Sequence, residues 1–337
     1  MSRYSRQLLL PQIGPAGQER LRAGRALLVG CGALGTVIVE QLCRAGVGFI
    51  RIADRDVVEI SNLQRQTLFE ERDANDATPK AVAAGNRLRA INTEVSVEPH
   101  VIDVGPDNIE SLVHDVDIIL DGTDNVATRY LINDVAVKLA KPWVYGACVG
   151  VEGRVMPIAP GRACLRCIFP EPAAAGELPT CDTVGVLASV AGIVASWQVI
   201  AALRFLMNDA PPPQMLTIDA WSQRMRSIDI SDARRAECVC CGRNDYEFLN
   251  RSADRGASLC GRDAVQVRAP VGTRLNLGQL SQRLARVART EQTPYLLRVM
   301  LKDSSAKLTV FADGRAIVHG TDDVARARVI YDQVVGA

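Results

Sequence analysis

Two pairs of cysteines in the chain have a spacing that suits a metal ion. Cys164 and Cys167 form one Cys-x-x-Cys pair, Cys238 and Cys241 form another, and seventy residues separate the two pairs. Four thiolates complete the tetrahedral shell of a structural Zn²⁺, whereas a single pair is equally typical of a redox dithiol. Cys240 lies inside the second pair and is a competing ligand. Together the pairs predict a structural zinc site, because nothing around them resembles a thioredoxin context.

A glycine-rich turn near the start of the chain has the spacing of a nucleotide site. An apolar run at 26–29 leads into the turn, a helical pattern follows it, and Asp54 closes the next apolar run nineteen residues after Gly35. Such glycines admit a phosphate, the helix start offers it N–H groups, and the acid accepts ribose hydroxyls. The expected nucleotide-binding positions of this turn are Gly30, Gly32, Ala33 and Gly35. Up to this point an NAD-dependent oxidoreductase fits equally well.

The segment at 56–66, directly after this acid, separates the two interpretations. It contains several polar side chains and one permanent cation, namely Ser61, Asn62, Gln64 and Arg65, with Leu63 between them. A nicotinamide ring requires an apolar site, whereas a triphosphate under attack requires positive charge near its α-phosphate. The segment therefore favours triphosphate chemistry.

Two further positions have charges that suit a nucleotide. Lys80 begins a predicted helix that runs to about residue 91. At the start of a helix a lysine gains nothing from the helix dipole, so this position is better suited to holding an anion. Asp124 and Asn125 follow a buried strand predicted at 116–121, and ligands of parallel sheets bind beyond such strand ends. A carboxylate beside phosphates is a natural Mg²⁺ ligand. The alternatives are a solvated lysine and an aspartate that caps the next helix.

The alternation of strand and helix patterns predicts the fold. Residues 1–250 are expected to form an α/β, Rossmann-like, doubly wound and mainly parallel sheet, with an antiparallel extension at 153–158. Residues 251–337 are expected to form a small α+β domain, with strands at 264–268 and 295–301, a helix at 277–288, a hairpin at 312–315 and a final helix at 322–335. Two domains also suit a length of 337 residues.

Bulk properties exclude several classes of partner. The 39 basic and 38 acidic residues nearly cancel, so charge gives no reason to expect nucleic acid. The first residues lack the apolar core of a signal peptide, which predicts a cytoplasmic protein with mostly reduced cysteines. Residues 183–203 are uncharged and long enough to cross a bilayer, but their small and polar residues favour a buried packing helix, so no membrane is expected.

Three motifs resemble those of one family. Arg3-Tyr4-Ser5-Arg6-Gln7, Asn62-Leu63-Gln64-Arg65-Gln66 and Asp121-Gly122-Thr123-Asp124-Asn125 are similar to the ThiF/MoeB/HesA adenylyltransferases, bacterial relatives of ubiquitin-activating enzymes. The resemblance runs from about residue 3 to residue 242. It implies that ATP adenylylates the C-terminal Gly-Gly carboxylate of a ubiquitin-like sulfur carrier of the ThiS or MoaD type, giving an acyl-adenylate and pyrophosphate.

The resemblance also implies roles for individual residues. Asp54 is expected to hold the ribose, Asn62, Arg65 and Lys80 the phosphates, and Asp124 the Mg²⁺. The nucleophile is already a carboxylate, so no general base is needed, which agrees with three histidines that lie outside every motif. In the family the arginine at the position of Arg6 reaches the other subunit's site, which implies a homodimer. The family pattern favours Cys238 and Cys241 over Cys240 as metal ligands.

The resemblance leaves several points open. In some relatives a cysteine near the position of Cys181 attacks the activated carrier or exchanges persulfide, with a sulfurtransferase or cysteine desulfurase as partner. The alternative for Cys181 is a half-buried structural thiol. Relatives often carry a C-terminal rhodanese domain, but residues 251–337 are few and their only cysteine, Cys260, precedes the first predicted strand, so rhodanese is not expected. The carrier's pathway also stays open among thiamine, molybdopterin, tRNA thiolation and a secondary metabolite. A non-catalytic scaffold is the remaining alternative, and the intact charged motifs argue against it.

Overall fold

The computed structural model describes residues 3–173, 181–251, 256–259, 264–269, 273–302 and 307–336, with backbone alone at 181–182 and 256–259. The chain divides into two compact units, Met1–Arg251 and Ser252–Ala337.

The first unit contains one eight-stranded sheet. Its strands are β1 (Arg25–Val29), β2 (Phe49–Asp54), β3 (Ser96–Val101), β4 (Ile118–Asp121), β5 (Trp143–Val149), β6 (Glu152–Ile158), β7 (Gln214–Asp219) and β8 (Arg224–Asp229). Its helices are α1 (Gly14–Ala23), α2 (Ala33–Ala45), α3 (Glu71–Asn75), α4 (Lys80–Ile91), α5 (Ile109–Val113), α6 (Val126–Lys138), α7 (Leu165–Ile168), α8 (Cys181–Val184) and α9 (Ala188–Leu206), with a 3₁₀ turn at Ile60–Asn62.

The strand order is β3-β2-β1-β4-β5-β6-β7-β8. Strands β3, β2, β1, β4 and β5 run parallel to one another, while β6, β7 and β8 add an antiparallel extension. In register, Val29 pairs with both Ala53 and Asp121, so the carboxyl ends of β1, β2 and β4 share one edge. The predicted mainly parallel, doubly wound sheet is confirmed, and this edge positions the candidate site.

Apolar side chains from both faces of this sheet form separate clusters. One cluster packs α2, α4 and α9 against the sheet, and the other packs α5 and α6 against it. Helix α9 contains most of the uncharged stretch of the sequence. Within the described residues it is the one helix long and apolar enough to cross a membrane, and about half of its apolar stretch is buried inside the protein. Its contacts with α2, β4, β5 and β6 are those of a core helix.

The second unit contains a six-stranded sheet of order β11-β12-β13-β14-β10-β9, antiparallel in every pair. Its elements are β9 (Gly256–Leu259), β10 (Ala264–Val267), α10 (Leu277–Leu284), β11 (Ala288–Gln292), β12 (Leu296–Leu301), β13 (Lys307–Phe311), β14 (Ala316–His319) and α11 (Val324–Val335). Both helices pack on one apolar face of the sheet. The helix expected at 277–288 ends early, because β11 begins at Ala288 and pairs with β12.

Candidate functional site

Close backbone contacts define the carboxyl edge of the sheet. Gly30 follows β1 with a φ of 87°, in the left-handed region that favours glycine. A Cβ on Gly30 would lie 2.8 Å from the Gly122 carbonyl carbon, and a Cβ on Gly35 would lie 2.2 Å from the Gly30 oxygen. Backbone cannot move aside as a flexible side chain does, so these positions require glycine. The loops after β1 and β4 therefore approach each other more closely than side chains would permit.

Helix α2 begins at this turn with its first amide groups available. Gly32 is the N-cap, and among the described residues no side chain caps it. Ala33 is the first helical residue, and the first turn contains no acid. A helix N-terminus binds anions through its unpaired N–H groups and its dipole. The arrangement suits a phosphate group, as the glycine spacing predicts.

Asp54, the last residue of β2, is buried and bonded to two backbone amides. Its Oδ2 accepts from the Cys31 N–H at 2.6 Å, and its Oδ1 accepts from the Asp56 N–H at 2.7 Å. Burial raises the pKa of Asp54 and the charge of Lys80 lowers it, with a net upward direction. The carboxylate therefore connects the end of β2 to the glycine turn. A carboxylate has about four lone-pair sites, so these two bonds leave Asp54 able to accept further hydrogen bonds.

Lys80, at the start of α4, is buried and paired with a carboxylate. Its Nζ lies 3.2 Å from Oδ2 of Asp56, and its side chain is 6% exposed. Burial lowers the pKa of Lys80, but the carboxylates of Asp56 and Asp54 more than offset this and raise it above its ordinary value. The lysine is thus charged at neutral pH and lies at the sheet edge, so the alternative of a solvated lysine is wrong.

The segment after Asp56 folds around a 3₁₀ turn. Asn62 is buried, and its Oδ1 accepts from the Glu59 N–H at 3.1 Å. Arg65 donates from Nη1 to the Ser61 carbonyl at 2.8 Å, and the Ser61 hydroxyl donates to Glu59. The guanidinium therefore lies over this turn. Leu63 is half-buried and packs against the core, whereas Gln64 is exposed.

One side chain of this motif lies at the glycine turn itself. Gln66 is buried, and its Nε2 lies 3.9 Å from where a Cβ on Gly32 would be. Its Oε1 is also buried and has no hydrogen-bond partner among the residues that the structure describes. Leaving a buried amide oxygen without a donor costs free energy of folding. This oxygen is therefore suited to accept a hydrogen bond from a bound ligand. Gln66 belongs to the family motif but is absent from the predicted nucleotide-binding set.

The loop after β4 divides two roles between adjacent residues. Asn125 is the N-cap of α6, and its side chain accepts from the Thr128 N–H at 3.0 Å. The alternative that Asp124 caps this helix is therefore wrong, and its carboxylate is exposed. Its negative charge contributes to raising the pKa of Lys80, Arg55 and Arg129. The Asp124 carboxylate therefore lies near enough to these three cations for its charge to act on them.

Two arginines at this edge are absent from the sequence prediction. Arg129 is half-buried on α6, and its Nε lies 3.0 Å from Oδ2 of the fully buried Asp121. Its Nη2 also donates to the Thr123 carbonyl at 2.6 Å, which fixes the loop carrying Asp124. Arg55 follows Asp54 directly and pairs with Asp103 at 3.1 Å. The sequence does contain a signal for each arginine. Arg55 is adjacent to Asp54, and Arg129 lies one helical turn after the N-cap residue of α6.

Two predicted catalytic residues remain, Arg6 and Cys181. Arg6 lies in the turns before α1 and is exposed, without a hydrogen bond or ion pair to any described residue. Cys181 is the first residue of α8, and its side chain lies outside the described residues. Within the described residues, the structure therefore does not bring Arg6 into contact with the sheet edge, and the prediction for Cys181 stays a prediction.

The paired cysteines converge into one cluster, here called the cysteine cluster. The Sγ atoms of its four members lie within 4.8 Å of one another, and the members are Cys164, Cys167, Cys238 and Cys241. Sulfur separations of 3.7 Å and 3.4 Å join the two halves, close to the roughly 3.8 Å between ligands of tetrahedral Zn²⁺. Burial and the neighbouring Cys167 thiol raise the pKa of Cys241 to about 11. Buried thiols this crowded suit a divalent cation with a closed shell, and Cys240 is outside the set.

A model of the ThiF family matches residues 4–240. The chain belongs to the ThiF family. This ThiF-family chain is 42% identical over 340 residues to the sulfur carrier protein ThiS adenylyltransferase of Bacillus subtilis, covering 99% of both chains. It is 37% identical over 250 residues to the sulfur carrier protein adenylyltransferase of Thermus thermophilus, covering 72% of this chain and 91% of that protein. The resemblance inferred from the three motifs is confirmed.

A solved structure shares the fold of this ThiF-family chain. The crystal structure of E. coli MccB with ATP superposes with a TM-score of 0.62 at 22% identity, covering 72% of this chain and 75% of that one. At that identity the similarity shows the fold alone. The Bacillus relative is similar over the second unit as well, because the match covers nearly the whole chain.

Proposed function

We propose that this chain uses ATP to adenylylate the C-terminal Gly-Gly carboxylate of a ubiquitin-like sulfur carrier. The observation that carries the proposal is the meeting, at one sheet edge, of an anion-binding helix start, the buried cation of Lys80 and the exposed carboxylate of Asp124. Similarity to a ThiS adenylyltransferase over 99% of both chains supports the reaction and the type of carrier. Thiamine and molybdenum cofactor synthesis are the routes suggested by relatives of this kind.

The proposed reaction is a displacement at phosphorus. A carboxylate oxygen of the carrier attacks the α-phosphorus of ATP, the bond to the β-phosphate bridging oxygen breaks, and pyrophosphate leaves. No proton moves in this step, so the residues orient the two reactants and stabilise charge. Lys80 and Arg65 would neutralise the phosphates, Asn62 and the α2 amides would orient them, and Asp54 would fix the ribose. Asp124 would hold Mg²⁺, which neutralises the leaving pyrophosphate when bound.

The proposal includes two further features of the assembly. Arg6 is exposed and unpaired among the described residues, which supports its use in the site of a second subunit of a homodimer. The cysteine cluster would hold one structural Zn²⁺ with four thiolates and no open position. The same proposal includes a role for Cys181 in carrier or persulfide transfer, with a sulfurtransferase or cysteine desulfurase as partner. It also includes a cytoplasmic location.

Exchange of labelled pyrophosphate into ATP tests this function directly. Purified chain should catalyse the exchange only when Mg²⁺ and a carrier ending in Gly-Gly are both present, and a carrier lacking its last two glycines is the matched control. Exchange without any carrier would contradict the assignment of the nucleophile. Carrier binding without exchange would favour the scaffold, and tight NADH binding without ATP binding would favour the oxidoreductase.

A further inference from the structure

Asn133 joins the two halves of the cysteine cluster through one side chain. It lies on α6 and is fully buried. Its Oδ1 accepts from the Leu165 N–H at 2.8 Å, directly after Cys164, and its Nδ2 donates to Cys240 Sγ at 3.2 Å, inside the second pair. A single amide therefore contacts segments that are more than seventy residues apart in sequence.

The next residue of α6 strengthens this connection. Asp134 is fully buried, and its Oδ2 accepts from the Phe248 N–H at 2.8 Å and from the Leu249 N–H at 3.4 Å, just beyond the second pair. Buried polar groups without partners are costly, so these contacts specify where each segment lies against α6. The helix therefore holds both sides of the cluster.

Cys240 is the thiol that the cluster must exclude. It is fully buried and packs in one cluster with Cys164, Cys167 and Cys238. A sulfur so close to a ligand, with the ligand Cys241 next in sequence, is a competitor for the ion. The contact from Asn133 Nδ2 engages this sulfur instead.

We infer that Asn133 is the positioning residue of the metal centre, orienting both Cys-x-x-Cys pairs and keeping Cys240 out of the coordination shell. This inference rests on the proposed zinc site. Bonds from outside the ligand shell fix ligand orientation, and their loss typically weakens metal affinity about 10–100-fold. Here Asn133 bonds to neighbours of the proposed ligands. One hydrogen bond goes to the backbone N–H directly after Cys164, and the other goes to the thiol of Cys240, between the two ligands of the second pair.

The test measures zinc affinity of the full chain by competition with a chromogenic chelator, using Zn²⁺ alone. Asn133→Leu keeps the side-chain volume and removes both hydrogen bonds, so affinity should fall about 10–100-fold. Ile132→Ala is the matched control, because Ile132 is the preceding buried residue of α6 and packs in the apolar core, outside the cysteine cluster. It should lower thermal stability and leave zinc affinity within a few-fold of the original chain. Equal affinity losses in both variants, or none in Asn133→Leu, would overturn the inference.

A second pair of variants keeps the inference testable if Asn133→Leu does not fold. Asn133→Asp retains the acceptor for Leu165 and loses the donor to Cys240, so its zinc affinity should also fall. Cys240→Ala leaves four ligands, and its Co²⁺ derivative should keep the absorption spectrum of a tetrahedral tetrathiolate site. Loss of that spectrum would make Cys240 a ligand and overturn the inference. An original chain that binds no zinc would instead show that the zinc proposal itself has failed.

Discussion

Lys80 and Asp56 contact each other twice, once through side chains and once through the backbone. The Lys80 Nζ lies 3.2 Å from the Asp56 Oδ2, and the Lys80 N–H donates to the Asp56 carbonyl at 2.9 Å. The start of α4 is therefore fixed against the segment that follows β2. The buried cation is held at the sheet edge by a carboxylate that is itself only two residues from Asp54.

The first prediction is a shift in pH dependence when this pair is broken. Asp56→Asn removes a carboxylate that raises the pKa of Lys80, while the burial that lowers it remains. The alkaline limb of pyrophosphate exchange should therefore move to lower pH. Asp76→Asn, at an exposed carboxylate of the same connection, is the control and should leave the profile unchanged. An identical alkaline limb in Asp56→Asn would separate Lys80 from the reaction.

The same pair has a defined effect on stability. The pKa of Lys80 is raised above its unfolded value of about 10.4, so its contribution is fully present below that pH and is lost as pH rises through the folded pKa. Urea unfolding of the original chain should show this loss only in the alkaline range. In Asp56→Asn the loss should begin at lower pH.

The second prediction concerns Asp124. Asp124→Ala should reduce carrier-dependent exchange roughly 10²-fold or more, because the proposed metal ligand and its charge would be lost at a reacting phosphate. The helix should persist, since Asn125 caps it. Asp107→Ala, at an exposed acid before α5, is the control. Near-normal exchange by Asp124→Ala, with an unchanged circular dichroism spectrum, would remove this residue from the site.

The third prediction tests whether Arg6 acts across a dimer. Arg6→Ala and Asp124→Ala should each be nearly inactive alone. When subunits exchange, about half of the dimers are mixed and each has one complete site of two, so activity should approach roughly a quarter of the original, as for arginines supplied in trans. Exchange is verified with differently tagged subunits. Mixed dimers without recovery would place Arg6 in its own subunit's site or outside catalysis.

The fourth prediction concerns the proposed zinc. Cys238→Ser should lose nearly all bound zinc and unfold at lower temperature, because structural Zn²⁺ contributes on the order of 10 kcal/mol in small sites. Elemental analysis and thermal melting measure both effects. Cys43→Ser changes a buried cysteine of α2, outside the cluster, and should retain its metal. Full zinc in Cys238→Ser would contradict the ligand assignment.

Local sequence patterns predict the parallel half of the first unit well. A buried parallel strand is a continuous apolar run, and caps or turns bound the elements, so β1, α4 and β4 lie within a few residues of their predicted positions, whereas α3 was not predicted. Strands β7 and β8 were not predicted. All six side chains of β8 are exposed, so the strand depends on pairing with β7 rather than on a buried face.

The candidate site was also predictable from the sequence only in part. Motif and spacing predict Asp54, Lys80 and Asp124, because strand ends of a parallel sheet meet at one edge. The ion pair between Arg129 and Asp121 could not be predicted, since it depends on the angle at which α6 crosses the end of β4. A sequence also does not decide which of two adjacent polar residues caps a helix.

The seventy residues between the cysteine pairs affect how the protein is made. At a synthesis rate of about 5–20 residues per second, Cys238 leaves the ribosome roughly 4–15 s after Cys164. During that interval the nascent chain presents one Cys-x-x-Cys pair without its partners, after α6 has already emerged. Loading of the proposed Zn²⁺ would therefore be a late step of biosynthesis, with the first pair of thiols open to oxidation until α9, β7 and β8 have been translated.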